Sequence, residues 1–309
     1  MPVSPAGLPP ADAVEAALRA AGVDLDLRQA RMSRLPSVSN RALRVEAAGQ
    51  DLAVRLGVGA PEILPRTAEA EASARAAAQG IGPAVVACAG PVLVTRFRAQ
   101  ARPLSRGDLG DPRRLRRCAE LLRRVHDGGP WAHGGRVGAE WVTYLAAAPD
   151  HPLTAAMARL RGEVEAVDRR LAAALPALRP CHVDPSVANW LVEGDRLLLL
   201  DWEYAANGDP LWDLADLAED ARLAHADRYA LVDAWCGGPP PLPVLARFEA
   251  QRLMVRWTWA AWGLAMAGET GDASLLDLAR ESLSAAEGIL RSEDLAAHLP
   301  WLTGGPPAP

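Results

Sequence analysis

The chain has 309 residues, half of them hydrophobic, and a net charge of −5. That is enough apolar material for one large core or two lobes, and the acidic balance argues against a nucleic-acid binder, which would carry a basic excess. The four cysteines (Cys88, Cys118, Cys181, Cys236) are widely spread and form no CxxC pair, so neither a disulfide scaffold nor a zinc site is expected, and a reducing cytoplasm is the simpler setting. The first residues lack the basic and apolar regions of a signal peptide. The most apolar later stretch, Trp257 to Ala267, is too short to span a bilayer, so no membrane partner is expected.

In chain order, residues 11–22 predict a short amphipathic helix. From Met32 to Leu56 the pattern turns to strands, with two runs joined by a Gly-containing turn. Residues 66–79 are Ala-rich and helical, and Gly80 is suited to the position just after a helix end. Ala84 to Cys88 and Pro91 to Phe97 read as two further strands about Ala89-Gly90. Residues 98–106 read as a linker. Helices follow over 112–127 and 152–175, then 210–234, 242–267 and 273–291, with GGPPPLP at 237–243 separating two of them. The tail, 303–309, is expected to be disordered. The expectation is an α+β chain of two lobes: residues 1–97 as a small lobe of antiparallel sheet plus one helix, and 98–309 as a larger, mainly helical lobe.

The most informative stretch is CHVDPSVANWLVEGDRLLLLDWEYAANGDPLWDLA, Cys181 to Ala215. Trp190 to Glu193 and Arg196 to Asp201 are two short apolar runs, and Gly194-Asp195 between them suits a two-residue hairpin turn. With that turn Asn189 falls opposite Leu200, next to Asp201; a three-residue loop would put Asn189 opposite Asp201 itself. Either way a carboxamide and a carboxylate reach one end of a ribbon, a hard oxygen pair suited to magnesium. Asp184 lies on the entering loop, where it could take the proton of an incoming hydroxyl. His182 is expected to brace the loop by hydrogen bonding and to take no part in the chemistry.

This stretch resembles the catalytic loop and metal-binding Asp of the aminoglycoside phosphotransferase and choline kinase superfamily, relatives of protein kinases. The DWEYA form is most similar to the choline, ethanolamine and thiamine kinase branch. The resemblance implies a protein-kinase-like two-lobed fold, Asp184 as catalytic base, Asn189 and Asp201 as magnesium ligands, and ATP held between the lobes. The chain has no Lys, so the cation on the third strand must be Arg. Arg55 in DLAVRL fits the branch, and a guanidinium can bridge two phosphate oxygens; a solvated strand-end Arg is the plainer alternative. Glu69 is the expected partner, because Arg66, Glu69 and Gly80-Ile81-Gly82-Pro83 follow the family spacing; Glu71 is the fallback. Ser39-Asn40 matches a Thr-Asn pair in the phosphate loop, but the usual glycines are missing there.

For the acceptor, ten Trp against two Phe and three Tyr stand out. Trp259 and Trp262 lie three apart on one predicted helix. Indole faces attract quaternary ammonium ions, and choline kinases carry a similar Trp-x-x-Trp; core packing is the alternative. Glu203 is expected at the edge of the site, either near the metal or facing the acceptor. Asp209 and Asp213 could add negative charge, and Asp213 could equally be a cap or a loop brace. The resulting expectation is an ATP- and magnesium-dependent kinase of a small hydroxyl compound, a cationic amino alcohol or thiamine. An antibiotic kinase and a catalytically silent nucleotide-binding protein are the alternatives.

Overall fold

The computed structural model describes residues 8–36, 40–57, 68–132, 137–138 and 140–303. The expectations for Ser39, Arg66 and the tail from 304 lie outside these residues, as does the side chain of Asn40. The chain divides into two units. One holds the residues through Pro103 together with Asn189–Tyr204, and the other holds Leu104–Ala188 and the residues from Ala205 onward.

In the first unit, helix α1 (Ala11–Ala20) precedes β1 (Arg31–Leu35), β2 (Asn40–Ala47) and β3 (Gln50–Gly57); then come α2 (Glu69–Ala78), β4 (Val85–Ala89) and β5 (Val92–Arg96). The five strands form one antiparallel sheet in the order β1-β2-β3-β5-β4. Alternation sets its faces. Leu43, Val45, Leu52, Val54 and Val94 join Val14 and Leu18 of α1 in one core. Arg55 is one residue out of step with Val54, so it projects from the opposite face. The β2–β3 turn is Ala48-Gly49, with φ of 49° and 73°, the left-handed pair of a tight hairpin.

Helix α2 stops as the sequence predicts. Gly80 takes φ 67°, and the Ile81 and Gly82 N–H groups both return to the Ala76 carbonyl, at 2.8 and 3.0 Å. The Ile81 carbonyl then accepts from the Leu199 N–H at 2.8 Å, which ties the Trp190–Glu193/Arg196–Leu199 hairpin to this unit. That hairpin closes on Gly194-Asp195 in the two-residue register, with Glu193 opposite Arg196 and Trp190 opposite Leu199. The predicted linker is partly sheet: β6 (Arg102–Pro103) pairs with Val192 and Leu191, and Arg98 forms an ion pair with Glu193. These bonds place the hairpin with the first unit, not inside the helical part as the sequence suggested.

The second unit is built on α3 (Pro112–His126), α4 (Trp141–Ala147), α5 (Pro152–Ala173), α6 (Leu211–Asp220), α7 (His225–Cys236), α8 (Leu242–Thr270), α9 (Ala273–Leu290) and α10 (Glu293–His298). Asp111 caps α3 by accepting from the Arg113 N–H at 3.0 Å, with Pro112 at the first helical position. The long α8 is buried along most of its length and packs against α4, α5, α6 and α9. The short strand Arg179–Cys181 pairs with Ala206–Gly208. The single helix expected over 210–234 is two. Arg222 adopts φ 54° and the Leu223 N–H bonds to the Ala218 carbonyl at 3.0 Å, which turns the chain and buries Leu223. No Gly or Pro marks that turn. Among the described residues no helix is long and apolar enough to cross a membrane.

Helices α8 and α9 approach at Gly263, where an added Cβ would lie 2.9 Å from the Leu275 carbonyl oxygen and 3.2 Å from the Ala279 Cβ. Gly263→Ala is therefore expected to lower stability in urea unfolding by about 1–3 kcal/mol. Gly288 lies on the exposed side of α9 with nothing near it. Gly288→Ala should raise stability by about 0.5–1 kcal/mol, since only the glycine entropy changes.

Candidate active site

In the second unit, the loop after Arg179–Cys181 carries Asp184. Asp213, fully buried in the first turn of α6, grips that loop. Its carboxylate accepts from the His182 N–H at 2.8 Å and the Val183 N–H at 2.9 Å, and lies 3.0 Å from His126 Nε2. Trp235 Nε1–H donates to His126 Nδ1 at 2.9 Å, which assigns the ring proton to Nε2 and makes it a donor to Asp213. Trp212 Nε1–H donates to the Val183 carbonyl at 2.8 Å. Val183 sits at φ 79°, a conformation that a β-branched residue rarely adopts. Such strain costs about 1–3 kcal/mol, and the bonds from Asp213 and Trp212 hold it in place. Downstream, the Val187 N–H donates to Asp220 at 2.7 Å. Asp184 is thus presented by a loop fixed on both sides, and Asp213 proves to be its brace. The ring of His182 is fully buried in the same region.

His126, Cys181 and Asp213 come within metal-ligand spacing of one another. Their chemistry is that of a hydrogen-bonded core. Asp213 is already occupied by three donors, and burial, reinforced by Asp213, pushes the Cys181 thiol well above its ordinary range.

In the first unit, alternation along β3 delivers Arg55 to three carboxylates. It forms an ion pair with Glu69 at the start of α2, and Nη1 lies 2.5 Å from Asp201 Oδ1 and 3.3 Å from Glu203 Oε2. Of the two places left open for Glu203, this bond puts it beside the partner of Asp201; it is buried there. Glu71 pairs with Arg75 along α2, so Glu69 and not the fallback meets Arg55. The Leu200 N–H donates to the Asn189 carbonyl at 2.8 Å, which sets Asn189 opposite Leu200 and beside Asp201, as the two-residue turn requires. Asp201 itself adopts φ 60°. A carboxamide and a carboxylate at one ribbon end, backed by two further carboxylates, are a donor set that fits magnesium. The backbone of Asn40 opens β2 opposite Gly57.

The acceptor candidates lie in the second unit. Trp259 and Trp262 on α8 meet edge to face, with centroids 5.7 Å apart and an interplanar angle of 88°. Trp262 is buried and Trp259 partly so. Asp209, suggested as added negative charge, is occupied within the protein: it is bound by Arg247 and by Gln251 at 3.2 Å, and it accepts from the Leu211 N–H at the start of α6 at 3.0 Å. Sequence reasoning missed Asp216. It is 2% exposed, accepts from Trp259 Nε1–H at 2.6 Å, and its second oxygen has no hydrogen-bond partner among the described residues. The signal was the i, i+3 spacing of Asp213 and Asp216 in DLAD, which puts both acids on adjoining faces of one buried turn.

Asp213→Asn replaces one accepting oxygen by an NH2 group, which sets new donors against at least one buried donor that the carboxylate accepts from. It is expected to cost about 2–4 kcal/mol in thermal unfolding and to lower turnover, because the strained loop loses its anchor. For Asp216, burial and then the charge of Asp184 push the carboxyl well above the ordinary range; Asp220 and Asp213 act in the same direction, and only the Trp259 bond opposes them. The folded state therefore holds this proton more tightly than the unfolded chain does, and stability falls as pH climbs above 3.8, the ordinary value. Asp216→Asn should melt above wild type at pH 7, and differential scanning calorimetry should show the gap closing toward about pH 4.

Comparison with known proteins gives this geometry a setting. The model of the phosphotransferase enzyme family matches residues 31–262. A choline/ethanolamine kinase family protein from Mesorhizobium loti superposes with a TM-score of 0.75 at 26% identity, covering 89% of this chain and 93% of that one. Choline kinase LicA from Streptococcus pneumoniae superposes with a TM-score of 0.76 at 16% identity, covering 90% and 98%. Protein LicA of Haemophilus influenzae is 42% identical over 59 residues, which span 19% of this chain and 22% of that protein. The α+β, protein-kinase-like fold expected from the sequence is the fold of these structures. The chain belongs to the phosphotransferase enzyme family.

Proposed function

We propose that this protein transfers the γ-phosphoryl group of ATP to the hydroxyl of a small cationic alcohol, of the choline or ethanolamine type or thiamine. The observation that carries the acceptor class is the edge-to-face pair Trp259–Trp262, in the same unit as the braced Asp184 loop. Its indole faces suit an ammonium ion, and Asp216 adds a carboxylate beside one of them. The choline and ethanolamine kinases among the similar structures support the same class.

In this reading Asp184 orients the acceptor hydroxyl and takes its proton. The hydroxyl oxygen bonds to the γ-phosphorus while the bond from that phosphorus to the bridging oxygen breaks, and ADP departs. Asn189 and Asp201 would hold magnesium, which neutralises charge on the phosphates when bound. Arg55 supplies a fixed cation for the remaining phosphate oxygens, positioned by Glu69. The rigid backbone around Val183 serves this chemistry, since a base displaced by an ångström loses much of its effect.

Asp184→Asn is expected to lower kcat for choline phosphorylation by about two to four orders of magnitude. Titration calorimetry should show ADP binding retained. Equal turnover in the variant and the wild type would remove Asp184 from the role of base; absence of turnover in both would favour a silent nucleotide-binding protein.

A further inference from the structure

The acids of α6 and of the segment before it are answered by the protein, with one exception. Asp209 has Arg247. Glu219 has Arg252 and Arg256. Asp220 has Arg106 and the Val187 N–H. Asp213 has two backbone N–H groups and His126. Asp216 is more buried than Glu219 and Asp220, yet among the described residues it receives one indole N–H and no basic side chain, and one of its oxygens is buried without a donor. Its neighbours Asp184, Asp220 and Asp213 are acids, and they oppose its ionisation. The Trp259 N–H calls for an acceptor here but not for a charge: an Asn would accept the same bond at lower cost in a site this buried.

We propose that Asp216 is the residue that reads the positive charge of the acceptor, acting both as a counter-charge and through the indole of Trp259. The inference rests on the cationic-alcohol reading above. The bond from Trp259 to Asp216 withdraws the N–H proton toward the carboxylate and leaves the indole ring richer in electrons, which strengthens its attraction for a cation. The perpendicular ring of Trp262 supplies a second wall. A bound ammonium ion favours the ionised carboxylate that the surrounding acids otherwise disfavour. An uncharged alcohol of the same shape gains nothing from Asp216, so the carboxylate sets selectivity for cations over neutral isosteres. Its stability cost in the free protein is the mark of a group kept for binding.

The test compares choline with 3,3-dimethylbutan-1-ol, which replaces the ammonium nitrogen by carbon, in wild type and in Asp216→Asn. The Asn side chain keeps an acceptor for Trp259 and loses the charge. The ratio of kcat/KM for choline to that for the neutral alcohol is expected to fall at least tenfold in the variant, carried by KM for choline. Thermal unfolding at or above the wild-type temperature certifies the fold. An unchanged ratio overturns the proposal and leaves Asp216 as a mere anchor for Trp259. Trp259→Phe keeps the charge and loses the bond; if it alone abolishes the preference for choline, the ring and not the carboxylate reads the charge, and the proposal is again overturned. Titration with tetramethylammonium, followed by tryptophan fluorescence, separates the two readings. Should wild type phosphorylate neither choline nor ethanolamine yet bind this ion at least tenfold more tightly than Asp216→Asn, the substrate reading fails and the role of Asp216 stands. Equal binding by both proteins overturns that role.

Discussion

One carboxylate holds the loop that carries Asp184, on which the proposed chemistry depends. Asp213 has no solvent contact, and it accepts from two consecutive backbone N–H groups, that of His182 and that of Val183, the residue in left-handed conformation. Without that grip Val183 would relax to ordinary backbone angles and carry Asp184 with it. The grip is itself supported: His126 donates to Asp213, and Trp235 fixes the tautomer that lets it do so. Trp212, next to Asp213 in α6, secures the carbonyl of the same strained residue. A helix start, a histidine from α3 and a tryptophan from α7 therefore converge on one peptide segment. This is the pattern expected when backbone strain is retained for function.

The first unit solves a different problem with similar means. A five-stranded sheet buries one face against α1 and leaves Arg55 on the other, where Glu69, Asp201 and Glu203 meet it. In the proposed reading the nucleotide phosphates meet a guanidinium in place of a Lys ammonium, and its planar fork can bond several oxygens at once. The same geometry keeps Arg55 fixed by carboxylates from α2 and from the turn after the hairpin. The Ile81–Leu199 backbone bond and the Arg98–Glu193 pair then make the hairpin part of this unit.

Much of this was legible in the sequence because it rests on local rules. Gly194-Asp195 set the hairpin register, and the register set Asn189 beside Asp201. The resemblance to the kinase branch singled out Arg55 on the third strand, and Gly80 marked the end of α2. What escaped was tertiary. The break at Arg222 carries no Gly or Pro; it is driven by burial of Leu223. Strand β6 is two residues long and exists only because the site hairpin offers an edge. Val183 looks like any strand valine until Asp213 and Trp212 are seen to hold it. Asp209 and Asp216 are both acids of one short segment, and nothing in their spacing tells that Arg247 neutralises the first while the second faces only an indole.

The central claim is that this chain moves phosphate from ATP to a cationic alcohol. The most direct measurement is ³¹P NMR of one tube containing the protein, ATP, magnesium, choline and kanamycin. The account predicts a new phosphomonoester resonance of the choline product, growing in step with ADP. Phosphate appearing on kanamycin instead, or only as inorganic phosphate, would contradict it.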